Sequence, residues 1–431
     1  MKIKHTNIIH NKIIIWIFMG LLSCLAGYFM RNSREPLALL VSIIYLISVI
    51  SQPTDDYLYF VAIAIPNTRG LELAGISIAV WVCIIYLSLE LLHHSISISK
   101  KMILINVFFV LFMMQLCLRF GDFSNGLIQP MKIVLVLMAL YRYSTSRNSV
   151  IKSNEKIKTM MLLWIYGAMM AILPAFLGSS GGRISAFSND SNTLAVEMMF
   201  LFSSLTILYA KGNISFKFIE YILSVIVSLL VCLMSGSRTG LILLAMFIVW
   251  FVILGMTGKN RMKAIGIVAF ICIIIVLGIN SRIGQEYITL FSQRSALLIE
   301  NNNYSNGRVD LWKSYISTFS SIPGGWLLGI GGYEQWGIKE MAHNMIIEDI
   351  ASYGIIGIVI LVSAYAELFK NEKKQIILGM RAKASILSCF PFIAIVIGGL
   401  TLHSMTSLPN TIMLYVSVAL YFNLMKKEAK V

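Results

Sequence analysis

The stretch SGSRTGLILLAMFIVWFVILGMT, residues 235–257, holds a single charged side chain, Arg238, followed by nineteen residues with none. A helix needs about 20 apolar residues to cross a hydrocarbon layer about 30 Å thick, and 239–257 fits that length. The same kind of run recurs at 13–30, 37–51, 72–92, 103–118, 127–141, 159–177, 193–210, 216–234, 264–280, 345–367, 384–402 and 409–425. A shorter apolar piece, Tyr57 to Ile65, ends at Pro66 and could cross, dip in or lie along the interface. The expected architecture is an all-α integral membrane protein with about 12–14 transmembrane helices.

Composition agrees. Of 431 residues, 58% are hydrophobic and 13% charged, against about 25% charged in soluble proteins. Disorder, a collagen-like fibre and a small disulfide scaffold are excluded by the same figures. All six cysteines (Cys24, Cys83, Cys117, Cys232, Cys272 and Cys389) lie in apolar runs and read as small buried residues. No CxxC, HExxH or phosphate-cradling glycine loop with a lysine is present, so neither metal nor cofactor is expected. Lys2, Lys4 and Lys12 precede the first apolar run, and no small-residue cleavage pattern follows it. That run reads as an uncleaved first helix.

The formal net charge of +15 suggests nucleic acid or an anionic surface until its distribution is considered. Segments 1–12, 93–102, 142–158, 211–217, 258–263, 369–383 and 426–431 hold 23 of the 35 lysines and arginines. They alternate with the spans from residue 72 onward. The positive-inside rule therefore puts them, and both termini, in the cytoplasm, and no nucleic-acid partner is expected.

Three parts follow. Residues 1–280 are transmembrane helices with short loops, including outer loops 178–192 and 235–238. Residues 281–344 are one large outer loop, and 345–431 are the C-terminal transmembrane helices. The large loop far exceeds a usual helix–helix connection. Trp312, Tyr315, Phe319, Trp326, Tyr333 and Trp336 make it too aromatic for disorder, so an ordered lid or platform is expected.

Four basic residues at outer positions escape the topology explanation. Arg183 lies in GSSGGRISAFSNDSN, Arg238 in SGSRTG, Arg308 in SNGRVDLW and His343 in AHNMIIEDIASYGIIG. An arginine at a membrane boundary suits a lipid-linked phosphate, because its fork donates two parallel hydrogen bonds and stays charged when partly dehydrated. The plainer reading is snorkelling or an ion pair with Asp190 or Glu334. His343 opens a helix and is followed by Asn344, Gly354 and Gly357, the glycines allowing a neighbouring helix to pack closely. Its imidazole is a candidate general base for a sugar hydroxyl, and the plainer alternative is a local cap. Glu348 or Asp349 is a candidate to orient His343 or pair an arginine. His403 is a weaker candidate near the same face.

SGSRTGL at the start of a span, NGRVDLW in a long outer loop, and HN-x9-GIIG at the next span resemble the O-antigen ligase and O-antigen polymerase superfamily. The resemblance covers roughly residues 180–365. It implies a GT-C-like, inner-membrane glycosyltransferase acting on undecaprenyl-diphosphate-linked glycans at the periplasmic face, inverting and metal-independent, with no nucleotide sugar. By the same resemblance His343 and Arg308 are catalytic, and Arg183 and Arg238 bind the substrate diphosphate. A glycine that some polymerases place at a fixed spacing after their loop arginines is absent; Leu194 and Phe319 stand there.

The implied partners are a lipid-linked glycan donor, a glycan or lipid A–core acceptor, the bilayer, and a candidate chain-length regulator. Polymerisation of O-antigen or capsular repeat units is the expected activity, since SGSRTGL and the glycine- and aromatic-rich loop look more like that branch. Ligation of the glycan to lipid A–core is the alternative within the same chemistry. A lipid-linked glycan flippase or transporter would be another class. It predicts ionisable residues and broken helices near the midplane, with internal repeats; no convincing repeat is found, and the candidate residues lie at one face.

Overall fold

The computed structural model describes residues 2–93, 98–146, 152–176, 191–211, 217–255, 261–281, scattered positions between 284 and 296, 307–338, 340–370, 389–400 and 407–428. Among these, helices α1 (Lys2–Arg31), α2 (Glu35–Ile50), α3 (Tyr57–Ala64), α4 (Ile78–His93), α5 (Lys100–Phe120) and α6 (Gln129–Thr145) come first. Then follow α7 (Asn154–Phe176), α8 (Ser191–Lys211), α9 (Phe218–Met234), α10 (Arg238–Gly255) and α11 (Arg261–Asn280). The rest are α12 (Arg308–Ser321), α13 (Gly325–Leu328), α14 (Met345–Leu368), α15 (Phe390–Gly399) and α16 (Leu408–Glu428). The only strands among the described residues are Glu72–Leu73 and Ile76–Ser77, paired antiparallel.

Among the described residues, six helices are long and apolar enough to cross a membrane, and seven shorter ones of 10–17 residues are also apolar. Each overlaps one of the full-length runs expected from the sequence; of 384–402 the described helix covers Phe390–Gly399. Their outward faces carry large apolar side chains, Leu118 being 87% exposed. Such a surface suits lipid, where exposing hydrocarbon costs nothing and exposing backbone polar groups costs much. The chain is an all-α integral membrane protein.

Contacts divide the chain into two units, Met1–His94 with Arg147–Ile271, and Ser95–Ser146 with Cys272–Val431. In the first, α1 packs on α2, α3 and α7. The short piece α3 is buried along its whole length. Asp56 before it pairs with Lys12 Nζ at 2.6 Å, and beyond its end Asn67 Nδ2 donates to Ser23 O at 2.6 Å. Lys12 and Ser23 are eleven residues apart on α1, so this stretch climbs about 16 Å. It runs into the layer rather than along its surface, and its helical part is too short to cross. Deeper in the unit, Trp164 Nε1 on α7 donates to Glu197 Oε2 on α8 at 3.1 Å, with Glu197 fully buried.

In the second unit α5 and α14 run antiparallel. Ser99 Oγ donates to Glu367 Oε1 at 3.1 Å, while Phe109 and Tyr353 meet with ring centroids 5.9 Å apart. A Cβ on Gly357 would lie 3.3 Å from Phe112 and 3.6 Å from Met113 Sδ, so this glycine permits the close approach expected of it. Gly354 does something else. Its φ of 63° and ψ of 171° interrupt α14 from within, in a region essentially closed to other residues. A Cβ there would fall 2.3 Å from Leu327 O and 2.4 Å from Gly329 N. The backbone of a distant segment, the end of α13 and Gly329 after it, fills the space.

That segment belongs to the large loop. Tyr315, Phe319, Ile330, Ile338 and Ala342 form a small core with Ala351 of α14. The side chains of α12 supply one wall of it, because Tyr315 and Phe319 fall four residues apart on one face.

Candidate functional site

The start of α14 is built around Asn344, whose side-chain oxygen accepts from the N–H groups of Ile346 at 3.0 Å and Ile347 at 3.3 Å. This satisfies two of the donors that a helix leaves unpaired at its first turn. The cap turns the chain sharply, and His343 immediately before it has φ +49°. A non-glycine residue at positive φ costs about 1 kcal/mol or more, and such outliers concentrate at functional sites. Glu348 offsets the strain: its Oε1 accepts the His343 main-chain N–H at 2.8 Å, and its side chain is buried. His343 is itself half-buried, with Nδ1 turned inward.

The chain leading into His343 is fixed by α12. Trp312 Nε1 donates to Ala342 O at 2.8 Å, and the Tyr315 hydroxyl donates to Glu340 O at 3.2 Å. Arg308 opens α12 and is half-buried. It lies four residues before Trp312, hence on the same helix face. The structure thus carries Arg308 to within one helical turn of the side chain that holds Ala342, next to His343. Burial pushes the Tyr315 phenol well above its ordinary value, and the Glu348 carboxylate and Tyr333 push it further. Tyr333 is raised by burial and by Glu334, Glu348 and Glu340.

Arg238 lies in the other unit. Gly236 at φ +58° turns the chain between α9 and α10, and Ser237 caps α10 through Gly240 N–H at 3.3 Å. The same Ser237 hydroxyl donates to Asn192 Oδ1 at 2.7 Å, fastening the turn to the start of α8. Arg238 is the first residue of α10 and is exposed, where the positive end of the helix adds to its charge. Arg183 and His403 lie outside the described residues.

The O-antigen ligase family model matches residues 223–362. Ligase- and polymerase-type enzymes of this superfamily are what the segment is similar to. The match spans about a third of the chain, takes in Arg238, Arg308 and His343, and leaves Arg183 outside. It supports an O-antigen ligase- or polymerase-type, glycan-processing activity for a multi-pass membrane protein. No curated protein matches the chain as a relative.

Three further charged or polar groups were not singled out from the sequence. Arg119, on the last turn of α5, donates to Pro323 O at 2.8 Å and Gly329 O at 3.5 Å, and lies 4.6 Å over the Phe120 ring. Gln115, one turn earlier, donates to Leu328 O at 2.7 Å. Asp122 accepts from Asn125 N–H at 3.0 Å, Asn125 Nδ2 at 2.8 Å and Gly332 N–H at 2.8 Å. Burial alone would raise its carboxyl. The hydrogen bonds from Asn125 and Gly332, with Gln335, outweigh that and hold it below the usual value. All three hold the backbone of 323–332. Glycine after RF in RFGD is the available sequence signal: Gly121 ends α5 at φ +69° and lets Asp122 turn back.

Proposed function

We propose that the chain is an inner-membrane glycosyltransferase that polymerises undecaprenyl-diphosphate-linked repeat units at the periplasmic face. The observation that carries this reading is His343. It is held at positive φ by Asn344 and Glu348 at the mouth of an apolar helix, inside the segment that matches the family. In the proposed step His343 takes the proton of an acceptor sugar hydroxyl as its oxygen bonds to the anomeric carbon of the donor. The bond from that carbon to the diphosphate oxygen breaks, and undecaprenyl diphosphate leaves with the electron pair. Attack opposite the leaving group inverts the anomeric centre, and no metal is called on.

Arg308, four residues before the Trp312 that bonds Ala342 O, is assigned to the charge that develops on the leaving diphosphate. Arg183 and Arg238 are assigned to diphosphate binding on their sequence resemblance alone. The loop residues 307–344 act as a platform that aligns donor and acceptor. Transfer of the glycan to lipid A–core is the second reading, favoured by the ligase description of the matched family.

Complementation separates them. The gene is expressed in a polymerase-deficient and in a ligase-deficient strain, with His343→Ala alongside, and the surface-glycan ladder is read. Restored long chains in the first strain support polymerisation; restored glycan on core in the second supports ligation. Normal ladders from His343→Ala would remove the histidine from the chemistry.

A further inference from the structure

Residues 322–332, IPGGWLLGIGG, contain no ionisable side chain, in contrast to the rest of the large loop. Their position is fixed by contacts within the second unit. Leu328 O is bonded to Gln115, five residues inside the Phe120 end of α5. Ile330 and Gly331 both donate to Ala351 O, at 2.8 and 3.1 Å, six residues inside the Met345 end of α14. Counted along either helix, the tip of the segment lies about 8 Å below the helix ends. Beyond it, the backbone at Leu327 and Gly329 abuts the break in α14 at Gly354.

We propose that 322–332 is a re-entrant segment inserted in the same leaflet as the α5 and α14 ends, with Trp326 and Leu327 against the hydrocarbon chains of surrounding lipid. Irregular backbone survives at that depth only where its polar groups are satisfied. Here the protein supplies partners one by one: Gln115 for Leu328 O, Arg119 for Pro323 O and Gly329 O, and Ala351 O for two amides. The exposed side chains are the ones lipid accepts. Leu327 is 51% and Trp326 37% exposed, and the indole N–H of Trp326 is turned to Ser320 Oγ at 3.4 Å. An indole with an apolar body and one polar edge suits the interfacial belt. The insertion requires only that α5 and α14 cross the membrane, and does not depend on which glycan reaction is catalysed.

The test places single nitroxide-labelled cysteines at Leu327, Leu111 and Lys313, after replacing the native cysteines, in the full chain reconstituted in liposomes. Leu111 is an exposed position midway along α5, and Lys313 an exposed position on α12. Accessibility to oxygen, which favours the bilayer, is compared with accessibility to a water-soluble nickel chelate. The expected oxygen-to-nickel ratio at Leu327 is several-fold above that at Lys313 and close to that at Leu111. A Leu327 label that behaves like Lys313 while Leu111 reads as lipid overturns the insertion. An aqueous Leu111 label overturns the crossing of α5, and the insertion with it. Should the cysteine variants fail to fold, quenching by brominated lipid is compared between the native chain and Trp326→Phe. Quenching lost with Trp326 supports insertion, and unchanged quenching overturns it.

Discussion

Glu348 Oε1 accepts the main-chain N–H of His343 at 2.8 Å, so the carboxylate holds the histidine by its backbone. Removing that acceptor frees a residue held at φ +49°. Glu348→Ala is expected to lower kcat by about tenfold or more with little change in donor KM, as a small misplacement of a catalytic group does. Glu348→Gln, which keeps an acceptor oxygen, should retain most activity. Rates of polymer formation by the purified protein on lipid-linked repeats decide it. Equal activity in both variants would sink the positioning role.

Strain and chemistry at His343 can be separated. Glycine accepts positive φ freely, so His343→Gly should unfold no more easily than the native protein, or be stabilised by about 1 kcal/mol, while losing activity. His343→Val places a β-branched side chain at the same φ and should destabilise. Thermal unfolding in detergent, run beside the activity assay, checks both.

Gly354 has no tolerated replacement. Gly354→Ala adds a Cβ at 2.3 Å from Leu327 O in a backbone region that costs about 1–3 kcal/mol for other residues, before the clash is counted. The expected result is a protein whose loop 307–344 is released, seen as rapid proteolytic cleavage there. A native cleavage pattern would mean the break can be straightened.

The tie between Asp122 and Gly332 is pH-dependent. Its carboxyl sits below the ordinary value of 3.8, so its stabilising effect is complete above that value and is lost as pH falls through the lowered one. The Gly332 amide should keep its protection from hydrogen exchange from neutral pH down to the ordinary carboxylate range of about 4 and lose it only under stronger acid. Asp122→Asn should weaken protection already at neutral pH. Loss of protection already near neutral pH would contradict the tie.

Within the first unit, Glu197→Ala strands the Trp164 indole N–H, which should cost about 1–3 kcal/mol. Pairing it with Trp164→Phe should recover part of that loss, since the orphaned donor is then gone. A double-mutant cycle on unfolding free energy measures the coupling, and strictly additive losses would refute the contact.

Hydropathy made the helical architecture legible, because each crossing helix must present about 20 apolar residues to lipid whatever its neighbours are. It could not locate the break at Gly354. In a run reading GIIG, a glycine that packs a helix and one that interrupts it look alike, and only the arrival of Leu327 and Gly329 tells them apart. Arg119 and Asp122 escaped for a related reason. A lone charge at a helix end suggests topology, whereas the groups through which these two hold 323–332 are main-chain atoms more than 200 residues away in sequence. Glu197 sits among apolar residues and is explained only by an indole on another helix. At the start of α14, in contrast, His343, Asn344 and Glu348 lie within six residues of one another, so their association could be anticipated.

The enclosure of α3 bears on how the chain is made. Eight residues cannot hold a place in lipid by themselves, and this helix is wrapped by α1 and by α7, which begins at Asn154. Tyr57–Ala64 must therefore wait for residues synthesised some ninety positions later before it can settle. In this half of the protein, the order of synthesis and the order of assembly part ways.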